Sequence, residues 1–372
     1  MPQRLPERAL SAGRTIRNLQ RFVISELSCP VRAPLIYRLW ALSHGFLTES
    51  AVRYKLCREN LPLYFPDSAR FLRTPKINGP FAESLNNKIV FSRIVASYGC
   101  RVPEYHAVIR DGRMTPVGDR YDFRAPEDVI DACLSGDSFI VKPASGGRGY
   151  GVMALTSEGD GIALNYRQVE PGLVRSALSS LREGTVLELV RHRAFAHEIF
   201  PEATNSMRVL TMWDMAREEP FIVYAAHRFG RPESSPTDNY SRGGVISLVD
   251  LETGALGPAY SDHGRAEPVW YESHPDTGTR IEGVVIEDWR RFVERLLQLC
   301  REMSFIPYIG WDIVLTDDGF CVLEGNNYPD VTFQFFFPLL EDERVRRFYE
   351  HHGVIRPRGR RAASPSRTST EH

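Results

Sequence analysis

The chain has 372 residues, 42% of them hydrophobic, and its 46 basic and 47 acidic side chains give a formal net charge of −1. This length allows two or three domains with a large core, and the balanced charge argues against a nucleic-acid partner. Six widely spaced cysteines without a Cys-x-x-Cys pair argue against a disulfide framework or a zinc site. No apolar run reaches the roughly 18–20 residues that span a bilayer, and no signal-peptide pattern opens the chain, so we expect a cytoplasmic protein without a transmembrane segment.

Residues 1–75 are predicted to form a helical N-terminal extension. Arg14, Arg17 and Arg21 recur at helical spacing next to large apolar side chains. Two interpretations stay open: a helix that docks on a membrane surface or a partner, or the solvated face of a packed helix. The following stretch, "PDSARFLRTPKINGP", is interpreted as a connector.

The first half then alternates helices with short strands. An amphipathic helix is predicted over 86–98, and Lys88 lies near its beginning. The strand "VPEYHAVI" and the helix "APEDVIDACLSG" follow, and a helix over roughly 170–183 leads into the strand "TVLELV". The free backbone groups at the end of that strand, around Glu188, are candidates to hold an adenine ring.

The stretch "FIVKPASGGRGYGVMAL", residues 139–155, predicts two strands joined by a glycine-rich hairpin. Lys142 precedes Gly146, Gly147 and Gly149, whose small size lets a ligand approach the backbone closely. The loop is not followed by Lys-Ser/Thr and does not open a helix, which excludes a P-loop and a dinucleotide fingerprint. Two interpretations remain: a hairpin that covers phosphate groups with Lys142 beside them, or a plain hairpin with a surface lysine.

The second half is richer in hairpins, and one of them predicts a metal site. In "GWDIVLTDDGFCVLEGNN" a three-residue loop, residues 317–319, would place Asp312 directly opposite Glu324, with Asn326 on the same face. Facing carboxylates repel each other unless a cation lies between them, and hard oxygen ligands suit Mg²⁺ shared with phosphates. The alternative is a single inward acid paired with an arginine.

Two arginines are predicted to meet on consecutive strands. Arg208 and Arg228 are equidistant from position 218, which lies in the turn between "SMRVLTMW" and "FIVYAAHRF". Together they could bind phosphate or stabilise charge that develops during transfer, or they could simply neutralise neighbouring acids. The later motif "DNYSRGG", with Asn239, Arg242, Gly243 and Gly244, is interpreted as a substrate or anion loop, with an ordinary turn as the alternative.

The order of these motifs resembles the ATP-grasp superfamily, and "TNSMRVLT" followed by "DNYSRGG" is most similar to the sugar-transfer-associated ATP-grasp proteins. The resemblance implies an α+β fold in which two subdomains hold ATP between antiparallel sheets. We expect subdomains at 76–190 and 191–345 and a disordered basic tail at 346–372. The resemblance also implies roles for individual positions: Lys88, Lys142 and the glycine loop at the ATP phosphates, Glu188, Leu189 and Val190 as the adenine hinge, Asp312, Glu324 and Asn326 as Mg²⁺ ligands, and Arg208, with Arg228 as its companion, at the transferred phosphate.

The expected reaction is an ATP- and Mg²⁺-dependent ligation. ATP phosphorylates a carboxylate, and an amine or thiol displaces phosphate from the acyl phosphate. The resemblance implies small-molecule substrates connected with polysaccharide or cell-surface sugar metabolism. Two alternatives stay open: a kinase that phosphorylates a hydroxyl, and a non-catalytic ATP-binding scaffold of a glycosyltransferase complex.

Overall fold

The computed structural model describes residues 7–143, 149–159, 161–262 and 268–357, with side chains from residue 16 onward. The chain divides into two compact units. A helical unit lies within 1–77, 214–217 and 337–372, and a two-sheet unit comprises the described parts of 78–213 and 218–336.

The α-helices of the described chain are α1 (Glu7–Leu27), α2 (Leu35–Ser43), α3 (Thr48–Arg53), α4 (Asp67–Leu72), α5 (Ala82–Asn86), α6 (Lys88–Ser97), α7 (Pro126–Leu134), α8 (Pro171–Ser179), α9 (Ala194–Ile199), α10 (Trp289–Glu302) and α11 (Glu343–His351). The strands are β1 (Tyr105–Arg110), β2 (Arg113–Pro116), β3 (Phe139–Pro143), β4 (Met153–Glu158), β5 (Gly161–Leu164), β6 (Arg167–Val169), β7 (Glu183–Glu188), β8 (Met207–Asp214), β9 (Glu219–Phe229), β10 (Val245–Val249), β11 (Leu256–Ser261), β12 (Val269–Tyr271), β13 (Ile309–Thr316) and β14 (Gly319–Asn326). In the described chain, no helix is long and apolar enough to cross a membrane.

The helical unit corrects two expectations. The predicted connector contains α4, which packs by Phe71 edge-on against Phe22 of α1, with ring centroids 5.7 Å apart. The expected tail begins too early: α11 runs through residue 351, and its Tyr349 stacks on Phe65 at 4.2 Å. Packed aromatic side chains order both segments, because this packing removes apolar surface from water.

The two-sheet unit contains two seven-stranded sheets, with strand orders β2-β1-β7-β3-β4-β5-β6 and β12-β11-β10-β9-β8-β13-β14. In both sheets, neighbouring strands with a defined register run antiparallel. Helices and antiparallel sheets in one unit confirm the predicted α+β class.

Each sheet is covered by helices through apolar side chains. Val129 of α7 and Val174 of α8 are buried with Leu155 of the first sheet. On the second sheet, α10 places Leu296 and Leu299 in one core with strand residues such as Ile313. This packing fixes the positions of the strands, so that polar side chains on them keep a defined geometry.

Candidate active site

The β13–β14 hairpin closes with a tighter turn than expected. Thr316 pairs directly with Gly319, so Asp317 and Asp318 alone form the loop, and the predicted three-residue loop is wrong. The Thr316 hydroxyl donates to Asp318 Oδ1 at 2.6 Å, and this hydrogen bond lowers the pKa of Asp318. A side-chain hydrogen bond across the turn stabilises the shorter loop.

The predicted opposition of Asp312 and Glu324 is nevertheless confirmed. Ile313 pairs with Val322, whereas Asp312 pairs with Glu324, so Leu323 is an extra residue in β14 and forms a β-bulge. The two-residue turn alone would pair Asp312 with Leu323, and the bulge shifts the pairing by one residue to Glu324. The two carboxyl groups lie close enough for each to shift the pKa of the other.

Asp312 is buried among guanidinium groups. Its Oδ1 lies 2.9 Å from Arg208 Nε and 3.3 Å from Arg228 Nη2. Arg208 is directly opposite Asp312 on the neighbouring strand, and the N–H of Arg228 donates to Ser206 O at 2.8 Å. Both arginines therefore contact the same carboxylate, as expected if they meet on one face of the sheet. The alternative interpretation, an inward acid paired with an arginine, also describes Asp312.

The two carboxyl groups have opposite pKa shifts. Burial raises the pKa of Asp312 to about 6, although Arg208 and Arg228 act against this shift. Burial also acts to raise the pKa of Glu324, but Lys88 and Lys142 outweigh it and hold that pKa well below its usual range. A pair whose pKa values are separated in this way is typical of functional sites.

Glu324 is neutralised by the two lysines that the sequence singled out. Lys88 Nζ lies 2.8 Å from Glu324 Oε2, and Lys88 is the first residue of α6. The Asn87 side chain caps that helix by accepting the Val90 N–H at 3.1 Å, which fixes where Lys88 leaves the helix. Lys142 lies on β3, and burial lowers the pKa of its ammonium group.

The loop at 238–244 joins this charge cluster through Asp238. The Asp238 carboxylate accepts hydrogen bonds from the Ser206 N–H and hydroxyl at 2.7 and 2.6 Å, and it lies 3.4 Å from Arg228 Nε. Four cations, namely Lys88, Lys142, Arg208 and Arg228, therefore meet three carboxylates, those of Asp238, Asp312 and Glu324, which leaves one excess positive charge. Such a cluster attracts a polyanion.

The same loop contacts the described end of the glycine hairpin. Arg242 Nη1 donates to Gly149 O at 2.9 Å, and its guanidinium lies 5.3 Å from the centre of the Tyr150 ring. The backbone φ of Gly149 is +72°, and a Cβ there would come within 2.8 Å of Thr237, so both conformation and space require glycine. Gly146 and Gly147 lie outside the described residues.

The other predicted loop residues shape the backbone. Asn239 Oδ1 accepts the Ser241 N–H at 2.9 Å and caps the short 3₁₀-helix Tyr240–Arg242. Gly243 has φ +108°, and a Cβ on Gly244 would lie 2.6 Å from Asp238 O. These features fix the conformation of the loop itself, and its substrate role stays a prediction.

The expected hinge lies at the end of β7 beside an open cleft. Arg101 donates to Glu188 Oε1 at 2.6 Å and ion-pairs with Asp318, so the Glu188 side chain is already engaged. Leu189 and Glu188 line a cleft of about 300 Å³ together with Arg101 and the β13–β14 turn. Val190 is buried in a small apolar cluster with Val314 and Cys321.

A family model described as sugar-transfer associated ATP-grasp matches residues 72–338. The chain belongs to the sugar-transfer associated ATP-grasp family. The match covers 267 of the 372 residues, the span between its two limits, and includes every residue singled out in the site.

Solved ATP-grasp proteins match this family member only distantly. They include D-alanyl-alanine synthetase A from Vibrio cholerae, with 11% identity, 73% of this chain and 65% of that chain covered, and a TM-score of 0.41. The ATP-grasp ligase PsnB complexed with a minimal precursor has 15% identity, coverages of 68% and 55%, and a TM-score of 0.32. N5-carboxyaminoimidazole synthetase from Staphylococcus aureus complexed with ADP has 10% identity, coverages of 68% and 46%, and a TM-score of 0.35. The chain thus spans about half to two thirds of these proteins, and the comparison with curated proteins returned no match.

The donor set of this ATP-grasp protein fits a magnesium ion. Asp312 Oδ1 is buried and takes part in ion pairs but in no well-aligned hydrogen bond. Asn326 Nδ2 donates to Gly310 O at 3.2 Å, which leaves the amide oxygen available. No group of three or more His, Cys, Asp or Glu able to hold a metal occurs in the described ranges, so the ion would need phosphate and water oxygens as well. Mg²⁺ is commonly bound through one or two carboxylates in this way.

Sequence reasoning missed three residues of the site. Asp238 was quoted only as part of its motif, and Ser206 and Arg101 received no role, yet Asp238 and Ser206 hold Arg228 and Arg101 holds Glu188. For Asp238 and Ser206 a signal existed, because each lies within a quoted motif, "DNYSRGG" and "TNSMRVLT" respectively. For Arg101, 87 positions from Glu188, no local pattern could indicate the contact.

Proposed function

We propose that this protein is an ATP- and Mg²⁺-dependent ligase that activates a carboxylate as an acyl phosphate for attack by an amine or another nucleophile. The observation that carries the proposal is the Asp312–Glu324 pair set among four cations. In this structure, these carboxylates bind the protein's own lysines and arginines. With Mg·ATP, the same carboxylates would hold the metal, and the freed cations would hold the phosphates.

The hairpin register supports a path for the nucleotide. Thr316 and Leu189 both line the cleft, and Asp312 lies four residues before Thr316 in β13. At about 3.3 Å per residue this separation is roughly 13 Å, which an extended nucleoside triphosphate can bridge. The proposed orientation therefore places the base at the cleft and the terminal phosphate at the Asp312–Glu324 pair.

Each side chain has a distinct part in the proposed reaction. Lys88 and Lys142 neutralise phosphate oxygens, while Asp312, Glu324 and Asn326 would hold the Mg²⁺, which would supply charge neutralisation at the transferred phosphate. Arg208 and Arg228 stabilise the charge that develops as the phosphoryl group moves to the substrate carboxylate. We assign the carboxylate substrate to the loop at 239–244, where Arg242 presents a cation near Gly149.

Substrate identity is proposed at the level of chemical class. The family description associates these proteins with sugar transfer, which supports a small carboxylate or amine connected with polysaccharide or cell-surface sugar metabolism. A kinase that phosphorylates a hydroxyl is the second candidate, since the same charge cluster would stabilise that transfer.

The deciding experiment is an acceptor screen with phosphate release and mass spectrometry. Pools of carboxylates with amines, thiols or sugar hydroxyls are incubated with Mg·ATP and the protein. A condensed product with ADP and phosphate supports the ligase, and a phosphorylated product means a kinase. Lys142→Met, tested at an ATP concentration below saturation, serves as the impaired variant, and Lys76→Met, an exposed lysine of the helical unit, as the matched control. Product formation at the parent's rate in Lys142→Met under these conditions would contradict the proposed site.

A further inference from the structure

The first helix carries an exposed apolar stripe. The large side chains Ile16, Leu19, Val23, Ile24 and Leu27 are between 46% and 81% exposed. At 100° per residue they fall within an arc of about 140° on α1. The packed side of the same helix lies elsewhere, where Phe22 meets Phe71 and Glu26 binds Arg38. Among the described residues, the stripe is therefore an exposed face of a helix that is held along the adjoining side.

The second helix repeats the pattern. Leu35, Ile36 and Leu39 are 68%, 83% and 59% exposed and fall within an arc of about 100°. Ala41, on the opposite side of α2, is buried. We call the exposed apolar residues of α1 and α2, with the arginines described next, the N-terminal face; the Glu26–Arg38 ion pair joins the two helices that carry them.

Charge distinguishes this face from an ordinary apolar patch. Arg17 and Arg21 continue one edge of the α1 stripe, and Arg32 is exposed between the helices. None of these three arginines takes part in an ion pair between described residues. The only acid in residues 16–45 is Glu26, which is buried and bonded to Arg38 and Thr48. The face thus combines apolar side chains with uncompensated positive charge.

We propose that the N-terminal face is a docking surface for an anionic lipid bilayer. An interfacial helix of this kind buries large apolar side chains at the headgroup boundary while arginines on its polar flank meet anionic lipids. The chain's own C-terminal residues are a poor occupant, because residues 356–372 contain five arginines and no large apolar side chain. The inference is independent of the ligase proposal, since none of its residues belongs to the candidate active site.

The first test uses the unaltered chain and two kinds of vesicle. We expect it to cosediment with vesicles of phosphatidylcholine containing about 30% phosphatidylglycerol, and to be released by 0.5 M salt. We expect much weaker binding to pure phosphatidylcholine. Equal binding to both vesicles, or no binding to the anionic ones at low salt, would overturn the proposal without any variant having to fold.

The second test removes the two components separately. Arg17→Gln, Arg21→Gln and Arg32→Gln together should weaken binding on the order of 100-fold, since each basic side chain near an anionic surface contributes about fivefold. The matched control, Arg290→Gln, Arg291→Gln and Arg301→Gln on exposed positions of α10, removes the same charge and should bind like the parent. Equal weakening in both triple variants would mean that only net charge matters, which contradicts a defined face.

The apolar component has its own control. Leu19→Gln, Val23→Gln and Leu27→Gln should weaken vesicle binding roughly tenfold or more. Leu134→Gln, Leu173→Gln and Val285→Gln change comparably exposed apolar residues elsewhere and should have no effect. Sedimentation equilibrium supplies the remaining outcome. The lipid proposal would be overturned if the parent bound no vesicles and formed a dimer that the Leu19→Gln, Val23→Gln, Leu27→Gln variant dissociates. That result would show that a second copy of the chain covers the face.

Discussion

The helical unit and the two-sheet unit each bury an aspartate whose pKa is raised to about 6, yet the two residues have different surroundings. Asp67 accepts the Leu47 N–H at 2.9 Å and the Ser50 hydroxyl at 3.1 Å, so both of its oxygens are satisfied. Asp312 meets two arginines and another carboxyl group, and its Oδ1 has no well-aligned hydrogen bond.

This difference teaches that a raised pKa does not by itself identify a functional site. Burial is the leading cause at both aspartates. Of the two aspartates, only Asp312 has a carboxylate oxygen without a well-aligned hydrogen bond and a surplus of cations around it. These two features indicate a ligand. Four experiments can break or sharpen this comparison.

The largest expected effect comes from Arg208→Gln. Arg208 is proposed to stabilise the moving phosphoryl group, so kcat of the reaction found in the acceptor screen should fall on the order of 10²–10³-fold. KM for ATP should change little, because ground-state binding relies on other cations. Arg38→Gln, which breaks the Glu26 ion pair of the helical unit, is the control and should affect stability without changing kcat. A normal kcat in Arg208→Gln would remove Arg208 from the catalytic machinery.

A smaller effect is expected from Lys142→Met. Loss of a charge-assisted contact of about 1.5–3 kcal/mol corresponds to a roughly 10–150-fold weaker affinity for Mg·ATP. Lys76→Met, an exposed residue of the helical unit, should bind Mg·ATP like the parent. Calorimetry measures both affinities, and identical affinities would exclude Lys142 from phosphate binding.

The pH dependence of stability should separate the acids. The pKa values of Asp312 and Asp67 lie above the usual Asp value, so between about pH 4 and 6 the folded state keeps protons that the unfolded state releases, and stability falls as pH rises. Asp312→Asn should flatten that slope and preserve or raise apo stability at pH 7. Asp67→Asn should also flatten the slope, but its free energy of unfolding should fall by about 1–3 kcal/mol. The reason is that the new side-chain NH₂ group faces a hydrogen-bond donor in place of an acceptor oxygen.

Glu324 has the opposite sign. Its pKa is lowered, so its ionised form stabilises the folded state above about pH 4.5, and this contribution is lost as the pH falls. Glu324→Gln should therefore lower stability at pH 7, unlike Asp312→Asn. Urea denaturation of the apo variants at several pH values measures all three effects. Equal behaviour of the two amide variants would show that the lysines do not stabilise the Glu324 carboxylate.

The smallest effect is expected from truncation of the tail after Pro357. Residues 358–372 contain no large apolar side chain, so the melting temperature should stay within a degree or two. A cut after Gly353 is the contrasting variant. It removes the buried Val354, whose carbonyl accepts from Arg73 at 3.0 Å, and it should lower the melting temperature. A large drop for the shorter truncation would mean that the tail contributes to folding.

Sequence periodicity predicted α6 and the strands that carry the site, because their apolar faces follow their periods closely. The strands β2, β5, β6, β11 and β12 were not predicted, since most are short and their pairing depends on neighbours distant from any single motif. The predicted start of the disordered tail, residue 346, is too early. The helix α11 is strongly charged, and its core contacts come from residues almost 300 positions away in the sequence.

The candidate site shows the same limit at finer scale. The opposition of Asp312 and Glu324 was predicted from an assumed turn, whereas the observed cause is a bulge at Leu323 that no local residue pattern indicates. The chemistry of facing carboxylates therefore predicted the register better than turn statistics did. The role of Arg101 depends on tertiary contact alone and could not be predicted.

The central claim is that Asp312 and Glu324 hold Mg²⁺ together with ATP. Its most direct test is calorimetric titration of ATP into the parent chain and into Asp312→Asn, each with 5 mM Mg²⁺ and each with EDTA. We predict that Mg²⁺ strengthens ATP binding to the parent at least tenfold, and that this strengthening is lost in Asp312→Asn while metal-free ATP binding persists. An equal effect of Mg²⁺ on ATP binding in the two proteins would contradict the metal site.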